Sequence, residues 1–249
     1  MGLHDKVCLI TGGTKGIGAA TSIAFARLGA HLSINGREVD ESAQRTKHQI
    51  EALGRRCCVV AADVGKPEEA IRCVHETFDA LGRIDVLVHS AGGRIDGDLL
   101  RLPPESWYRA FDVHVHAIFH LCRTAVPYMK ENGGGAIVLI SSAAGLRGCV
   151  GSIAYGVAKG AIPQFARALA RELADDNIRV NCVSPGIIRT RFQDCLTSEQ
   201  VKANVENRIP LHREGRPEDV AEVIVALVTN HFVTGETIAV DGGMTMRIA

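Results

Sequence analysis

The feature that most constrains this chain is a regular alternation of short apolar runs with longer helical patterns. Seven runs have the length and composition of strands: residues 6–13, 31–37, 56–64, 85–92, 136–142, 178–186 and 236–243. Because these runs are apolar on both faces, they predict a parallel sheet that is covered by helices on both sides. The predicted fold class is α/β, a doubly wound parallel sheet in a single domain spanning 1–249.

The segments between the apolar runs show helical spacing, with one exception. Helices are predicted over 16–30, 40–53, 67–81, 106–131 and 153–175, and another is predicted to begin at Pro217. The stretch 187–217 breaks this rhythm, because it is long, polar and only partly helical. Ligands of open α/β sheets bind at the carboxyl ends of the strands, so this insertion is predicted to be a substrate lid.

Composition argues against two classes of partner. Lys plus Arg and Asp plus Glu both total 28, which leaves no basic surplus for nucleic acid. No apolar run is long enough to span a bilayer, so no membrane partner is expected. The cysteines contain no CxxC pair and predict the reduced thiols of a cytoplasmic protein. They are Cys8, Cys57, Cys58, Cys73, Cys122, Cys149, Cys182 and Cys195.

A glycine-rich turn, TGGTKGIG at 11–18, follows the first predicted strand and opens the first predicted helix. In this spacing, Gly12 permits the tight turn and Gly16 lets the backbone approach a pyrophosphate closely. Gly18 allows the helix to pack closely against the strand. At this position the turn is typical of a Rossmann-type dinucleotide site, which would also include Thr14 and Ile17. A purely structural turn is the alternative.

The end of the second predicted strand bears on which dinucleotide binds. An NAD site usually has a carboxylate here, whereas NADP needs a cation for its 2′-phosphate. Gly36 and Arg37 stand at this point, and Lys15 offers a second cation, so NADP(H) is favoured over NAD(H). Glu38 is a complication, and ordinary solvated basic residues are the alternative.

A candidate proton-transfer group consists of three residues, the first of which stands at the end of the fifth predicted strand. Tyr155 lies thirteen residues after Ser142, and Lys159 follows four residues later, on the same helix face. A positive charge beside a tyrosine lowers its pKa, which is ordinarily ~10. The spacing therefore predicts a tyrosine that exchanges a proton near neutral pH, although a lone Tyr-x-x-x-Lys pair is frequent by chance.

Taken in order, these motifs resemble those of the short-chain dehydrogenase/reductase family over nearly the whole chain. The matches are TGGTKGIG, Asp63 in AADV, SAG at 90–92, Ser142 before YGVAK, NCVSPGIIRT at 181–190, GRPEDVA at 215–221 and VTGETIAVDGG at 233–243. The nearest branch is that of 3-oxoacyl-[acyl-carrier-protein] reductases, which also includes sugar, polyol and small-ketone enzymes. The resemblance implies an oxidoreductase that transfers hydride between NADP(H) and a small ketone or secondary alcohol.

The resemblance also implies roles for individual residues. Tyr155 would protonate the carbonyl oxygen, Ser142 would hydrogen-bond that oxygen, and Lys159 would lower the tyrosine pKa and hold the nicotinamide ribose. Cofactor contacts are implied for Asp63, Val64, Ser90, Ala91, Gly92, Tyr155, Lys159, Pro185, Gly186, Ile188 and Thr190. Such proteins usually form homotetramers through their long fourth and fifth helices, and a homotetramer is expected here.

Three positions depart from the family pattern. His89 replaces the first asparagine of Asn-Asn-Ala-Gly, and Ala158 replaces a serine in YGVAK. His114 stands where the family usually has an asparagine that holds a water in the proton relay behind the lysine. His114 is therefore predicted to be a fourth catalytic residue that titrates near neutral pH, with a satisfied core histidine as the alternative.

His114 belongs to the histidine-rich stretch DVHVHAIFH at 112–120. At about 100° per residue, His114 falls in an apolar stripe, whereas His116 and His120 share a polar face. A histidine pair one turn apart can bind a metal, but no third ligand is evident. No metal is predicted, and His116 and His120 are expected at the surface or in a subunit contact.

Two other functions stay open at the level of sequence. One is an NAD-dependent sugar or polyol dehydrogenase, and the other is a nucleotide-binding relative whose turnover is weakened by the His89 and His114 changes. The substrate is the least constrained feature. Four arginines, Arg94, Arg147, Arg189 and Arg191, fall in loops near the predicted pocket mouth, where they either receive an anionic substrate or are solvated.

Overall fold

The computed structural model of the chain describes residues 2–194 and 196–246. Within these residues, seven parallel strands form one sheet in the order β3-β2-β1-β4-β5-β6-β7. The strands are β1 Val7–Thr11, β2 His31–Gly36, β3 Cys57–Ala61, β4 Val86–His89, β5 Gly135–Ile140, β6 Ile178–Pro185 and β7 Thr237–Val240. The predicted α/β fold class is confirmed, and each predicted apolar run corresponds to one strand, with β5 beginning one residue before its run.

The functional crevice follows from the order of these strands. β1 pairs with β2 on one side and with β4 on the other. The direction in which the chain is wound therefore reverses between β1 and β4, which opens a crevice at the carboxyl ends of the strands. Every residue of β1 and of β5 is buried, as expected for strands covered on both faces.

Helices cover both faces of the sheet. The described residues contain α1 Gly16–Arg27, α2 Glu41–Ala52, α3 Pro67–Leu81, α4 Pro104–Phe111, α5 Ala117–Glu131, α6 Ala143–Leu146, α7 Ile153–Glu172, α8 Ser198–Ala203 and α9 Pro217–Thr229. One apolar cluster joins the sheet to α3, α5 and α7, and a second joins it to α1, α2 and α9.

The long helix predicted over 106–131 differs from expectation at its centre. It begins at Pro104, and a π-helical turn over Asp112–His116 separates α4 from α5. The N–H of Ala117 donates to the carbonyl of Asp112, five residues back. A π turn leaves a carbonyl without its usual partner in the helix, and Val113 O accepts instead from His89 Nε2 at 3.0 Å.

The insertion over 187–217 is closed at its base by backbone hydrogen bonds. Arg189 N donates to Gly215 O at 2.8 Å, and Gly215 N donates to Ile187 O at 2.9 Å. Between these ends lie a 3-10 turn at Arg191–Gln193, helix α8 and a second π turn at Asn204–Arg208. The helix predicted to begin at Pro217 is α9. The lid function of the insertion stays a prediction.

The seven cysteines within the described residues are free thiols, and Cys195 lies outside them. Four are fully buried, namely Cys8, Cys73, Cys122 and Cys182. Over the same part of the chain, no helix combines the length and the apolar character needed to cross a membrane.

A buried carboxylate fixes the amino ends of the two central strands. The Asp85 side chain is 1% exposed and accepts hydrogen bonds from Lys6 Nζ at 3.2 Å and from Arg83 Nε at 2.7 Å. It also accepts from the backbone N–H of Val7 at 2.9 Å, which ties the start of β4 to the start of β1. Removing this charge leaves two cations without their shared counter-ion and puts an amide N–H₂ beside one of them.

We therefore expect Asp85→Asn to lower the free energy of unfolding by about 2 to 4 kcal/mol, measured by chemical denaturation at neutral pH. Asp79→Asn, on an exposed carboxylate of α3, is the matched control. The control should change stability by less than about 0.5 kcal/mol. An equally small effect of Asp85→Asn would contradict the assignment.

Candidate active site

The carboxyl end of β5 and the start of α7 bring the predicted Ser142, Tyr155 and Lys159 together. Ser142 caps α6, and its Oγ accepts from Ala144 N at 3.2 Å. Lys159 Nζ donates to the carbonyl of Ile140 at 2.6 Å, and the Ser141 hydroxyl donates to the carbonyl of Lys159 at 2.7 Å. These two bonds fix one turn of α7 against the strand end.

The approach of α6 to α7 depends on a glycine that the sequence interpretation did not single out. A Cβ placed on Gly145 would lie 2.6 Å from the carbonyl carbon of Lys159 and 2.8 Å from Gly160 N. Any side chain at this position would push α7 away from Ser142. No sequence signal marks this glycine, because residues 143–152 belong to no predicted strand or helix.

Lys159 is the most deeply buried basic group of the site. Its Nζ lies 5.7 Å from the ring centroid of Tyr155. Burial lowers the pKa of Lys159 to about 8, because the charged ammonium is poorly solvated there. The lysine therefore stays mostly protonated at neutral pH but can release a proton at modest cost.

The pKa of Tyr155 differs from the expectation in its direction. Burial raises the pKa of Tyr155 above its ordinary value, and a hydrogen bond from the Ser142 hydroxyl opposes that rise. The Lys159 ammonium donates to Ile140 O. The net shift of the Tyr155 pKa is therefore opposite to the predicted lowering, and the tyrosine holds its proton as a general acid must.

His114 packs directly behind Tyr155. The two rings meet edge to face, with centroids 5.3 Å apart. His114 Nε2 lies 3.1 Å from the carbonyl of Gly93, so Nε2 is the atom that carries the proton. Its Nδ1 is buried and lacks a hydrogen-bond partner within the described residues. Gly92 makes room for the ring, because a Cβ there would lie 2.2 Å from His114 Cε1.

The environment of His114 corrects the expectation that it titrates near neutral pH. Burial lowers the pKa of His114 well below its ordinary 6.5, and the positive charge of Lys159 lowers it further. The imidazole is therefore neutral at physiological pH, with a donor at Nε2 and an acceptor at Nδ1. This is the combination of donor and acceptor that an asparagine side chain also offers.

His89 has a structural role. Its Nε2 donates to Val113 O at 3.0 Å in the π turn, and its Nδ1 lies 2.9 Å from Thr11 Oγ1. Burial lowers the pKa of His89 to about 3, so the ring is neutral. His89 thus connects the ends of β1 and β4 to the turn that carries His114.

The other two histidines of the 112–120 stretch point away from the site. His116 is exposed and its Nδ1 lies 3.1 Å from Asp112 Oδ1. His120 is partly exposed and its ring stacks edge to face with Phe119. Across the described chain, no three His, Cys, Asp or Glu side chains are grouped to hold a metal ion. The homotetramer in which these residues were expected to take part stays a prediction.

A cavity of about 1180 Å³ runs along the glycine-rich turn. It is lined by most of the predicted cofactor residues: Gly12, Thr14, Lys15, Gly16, Ile17, Arg37, Asp63, Val64, Ser90, Ala91, Gly92 and Thr190. Gly18 is not in the lining; a Cβ there would lie 2.2 Å from Gly12 O, which is the helix-to-turn packing predicted for it.

The turn suits the pyrophosphate of a dinucleotide. Lys15 is the N-cap of α1, and within the described residues its side chain does not bond the first turn of the helix. No acidic residue lies in that turn. The exposed N–H groups and the positive end of the helix dipole are therefore available to an anion.

Two carboxylates of this cavity are already neutralised by cations. Asp63 accepts two hydrogen bonds from Arg109 Nη2, at 2.9 and 2.8 Å, and Asp40 pairs with Lys15 at 2.5 Å. The sequence interpretation missed the Asp63 pairing and also Arg45, which lines the cavity one turn into α2. A helical wheel that includes Ser42 and Thr46 would have placed Arg45 on this face.

A second cavity, of about 540 Å³, adjoins the first and contains the candidate chemistry. Its lining includes His114, Ser142, Tyr155, Lys159, Pro185, Gly186 and Ile188. Ser90, Gly92 and Thr190 line both cavities, so the two are continuous. A ligand in one cavity therefore meets a ligand in the other beside Tyr155.

The four predicted pocket arginines separate into two groups. Arg94 and Arg147 line the smaller cavity, whereas Arg189 and Arg191 line only the dinucleotide cavity. Arg189 pairs with the buried carboxylate of Glu214. The structure adds Arg208, from the insertion over 187–217, to the smaller cavity. Arg208 was missed because no motif or periodicity fixes the path of that segment.

Comparisons with known proteins agree with this geometry. Residues 12–245 match the family model described as enoyl-(acyl carrier protein) reductase. The chain is 37% identical over 248 residues to the 3-oxoacyl-[acyl-carrier-protein] reductase FabG of Thermotoga maritima, covering 99% of this chain and 100% of that protein. It is 33% identical over 250 residues to dehydrogenase/reductase SDR family member 4 of Oryctolagus cuniculus, covering 99% of this chain and 96% of that protein.

A solved structure shares the whole fold. It is that of L-sorbose reductase from Gluconobacter frateurii, complexed with NADPH and L-sorbose. The TM-score is 0.93 at 31% sequence identity, over 100% of this chain and 99% of that one. From sequence and fold together, the chain belongs to the short-chain dehydrogenase/reductase family, whose members are NAD(P)-dependent oxidoreductases that act on CH–OH and C=O groups.

Proposed function

We propose that this protein is an NADP(H)-dependent reductase of a small ketone, or the reverse alcohol dehydrogenase, of the 3-oxoacyl, sugar or polyol class. The observation that carries the proposal is the convergence of Ser142, Tyr155 and Lys159 in a cavity continuous with the dinucleotide cavity. A bound nicotinamide dinucleotide supplies the hydride. The chain supplies orientation and the proton.

The protein groups divide the proton chemistry between them. The Tyr155 hydroxyl donates its proton to the carbonyl oxygen as that oxygen becomes an alkoxide. When substrate is bound, the single proton of the Ser142 hydroxyl, which is donated to Tyr155 in the chain alone, is donated to the same carbonyl oxygen and orients it. The positive charge of Lys159, 5.7 Å from the Tyr155 ring, stabilises the phenolate that is left.

The preference for NADP rests on the charges around the end of β2. Gly36 stands where a carboxylate would hold the ribose hydroxyls of NAD, and Arg37 and Arg45 line the cavity beside it. Asp40, the nearby acid at the start of α2, is neutralised by Lys15. The related L-sorbose reductase structure contains NADPH, which supports the same preference.

We also propose that His114 positions the proton relay behind Lys159. Its Nδ1 is a buried acceptor without a partner in the described chain, so a water bound there would satisfy it. Such a water would stand in the place that the family asparagine gives it. An imidazole held neutral by burial can serve this role at any physiological pH.

Location and assembly complete the proposal. The seven free thiols of the described residues support a reducing compartment, namely the cytoplasm. The partly exposed apolar side chains of Phe119 on α5 and Val157 on α7 support a homotetramer built on these helices.

The function is tested by a panel of ketones, 3-oxoacyl thioesters and polyols with NADPH and NADH side by side, using Tyr155→Phe as the inactive control. We expect turnover with NADPH, and a loss of about 100-fold or more in kcat for Tyr155→Phe with cofactor binding retained. Cofactor binding without turnover of any panel member would instead support the nucleotide-binding alternative.

The cofactor preference is tested at Arg37. We expect Arg37→Ala to raise the KM for NADPH about tenfold or more, because a charge-assisted contact to the 2′-phosphate is lost. The KM for NADH should change less than about twofold, since NADH lacks that phosphate. Arg171→Ala, at an exposed residue of α7 outside both cavities, is the control. A wild-type preference for NADH would overturn the NADP proposal in favour of the NAD-dependent alternative.

The role of His114 is tested by comparing Asn and Leu at this position. We expect His114→Asn to keep turnover near the parent and His114→Leu to lose about tenfold or more in kcat with cofactor affinity unchanged. The parent profile of kcat against pH should lack a step near pH 6.5, because burial keeps the pKa of His114 well below that value. Parental turnover of His114→Leu across the pH range would show that the ring only fills space.

A further inference from the structure

The charges in the smaller cavity are strongly one-sided. Among the described residues that line it are four cationic side chains, Arg94, Arg147, Lys159 and Arg208, and no Asp or Glu. The adjoining dinucleotide cavity is different, because Glu38, Asp40, Asp63 and Asp96 all contribute to its lining. Arg147 and Arg208 are exposed residues of this lining, so their guanidinium groups are open to a ligand, and a lining of this charge suits an anionic ligand better than an uncharged one.

Two of the arginines have charges that the protein does not neutralise. Arg147 Nη1 donates only to the neighbouring carbonyl of Leu146, at 3.2 Å. Arg208 Nη1 donates to Asn204 Oδ1 at 2.9 Å, which holds the guanidinium in place through a neutral, buried amide. Neither residue forms an ion pair with a described carboxylate. Both guanidinium groups therefore keep donors and charge available to a ligand.

Arg94 serves as an internal contrast. It lines the same cavity, but its Nε donates to Asp96 at 2.6 Å, so its charge is balanced. Arg147 and Arg208 line the same cavity without a described carboxylate partner, so their charges, unlike that of Arg94, are not balanced by the protein.

The two arginines enter the smaller cavity from different elements of the fold. Ser142 and Arg147 are the N-cap and C-cap of the four-residue helix α6, which is about 6 Å long at ~1.5 Å per residue. Arg208 comes from the π turn that ends the insertion over 187–217 and faces the same cavity. An anion held between them would lie a few bonds from a carbonyl placed at Ser142 and Tyr155.

We propose that the substrate is a small carbonyl compound bearing an anionic group, a carboxylate or a phosphate, that Arg147 and Arg208 bind together. This inference rests on the proposed reductase function and adds the substrate class to it. Guanidinium groups match both anions, because their planar donors form paired, charge-assisted bonds to carboxylate and phosphate oxygens. Placement of Arg208 on the insertion makes anion binding a means of drawing that segment over the substrate.

The test compares substrates that share a carbonyl and differ only in charge. With NADPH, small oxo-carboxylates are assayed against their methyl esters, and ketose phosphates against the free ketoses. We expect kcat/KM to be at least about tenfold higher for the anionic member of one pair, which also tells carboxylate from phosphate. Arg147→Met and Arg208→Met should each remove most of that advantage, so that the ratio of kcat/KM for the charged member to kcat/KM for the neutral member falls toward one.

Two further arms make the outcome decisive. Arg101→Met, on a solvated arginine whose side chain is 87% exposed, should leave every ratio as in the parent. Binding of succinate, with its dimethyl ester as the uncharged probe, is measured by calorimetry in the presence of NADP+ and needs no turnover. We expect succinate to bind and the ester not to bind, with succinate affinity falling about tenfold in Arg208→Met.

The results separate the two proposals. Equal kcat/KM for charged and neutral members, or an equal loss of both in the arginine variants, would overturn the anionic substrate while the reductase function stands. Succinate binding that the arginine variants do not weaken would overturn it as well. Anion binding without turnover of any carbonyl compound would leave the anion site intact and count against the reductase function.

Discussion

The contact between the carboxyl end of β5 and the first turns of α7 is the interaction on which the rest of the site depends. Lys159 donates to the carbonyl of Ile140, and Ser141 donates to the carbonyl of Lys159, so strand and helix hold each other through crossed bonds. Gly145 lets the backbones meet. Because Ser142 follows β5 directly and Tyr155 lies in the first turn of α7, their spacing is set by backbone packing rather than by flexible side chains. The chemistry is therefore preorganised by the fold.

The histidines show how one residue type solves different problems in adjacent places. His89 donates to Val113 O, the carbonyl that the π turn leaves without a helical partner. His114 lies in the same turn and packs edge to face against Tyr155. Both rings are neutral because burial disfavours their charge. His116 is exposed and its Nδ1 lies beside Asp112. The π turn connects these roles, because it changes the direction of the residues on either side of it.

Much of the fold and of the chemical centre follows from local sequence rules. Apolar runs between helical segments give the strands, because a doubly covered parallel sheet allows few other patterns. The spacing of Ser142, Tyr155 and Lys159 places them together, because only the short helix α6 separates β5 from α7. The direction of the Tyr155 pKa shift could not be predicted in this way, since it depends on burial and on where the Lys159 ammonium points. The sequence also did not predict that Arg208 lines the smaller cavity or that Asp63 pairs with Arg109, because each contact joins segments far apart in the chain.

The separation of charge within a neutral molecule has a consequence for encounter rates. The chain has a formal net charge of zero, yet its active-site groove concentrates arginines and Lys159. A cationic cleft in a low-dielectric wall focuses field lines and steers anions toward it before contact. Screening acts over ~8–10 Å at physiological ionic strength, so this guidance operates only in the last steps of approach. The association rate of an anionic ligand should therefore fall as the salt concentration rises, although the net charge of the protein is zero.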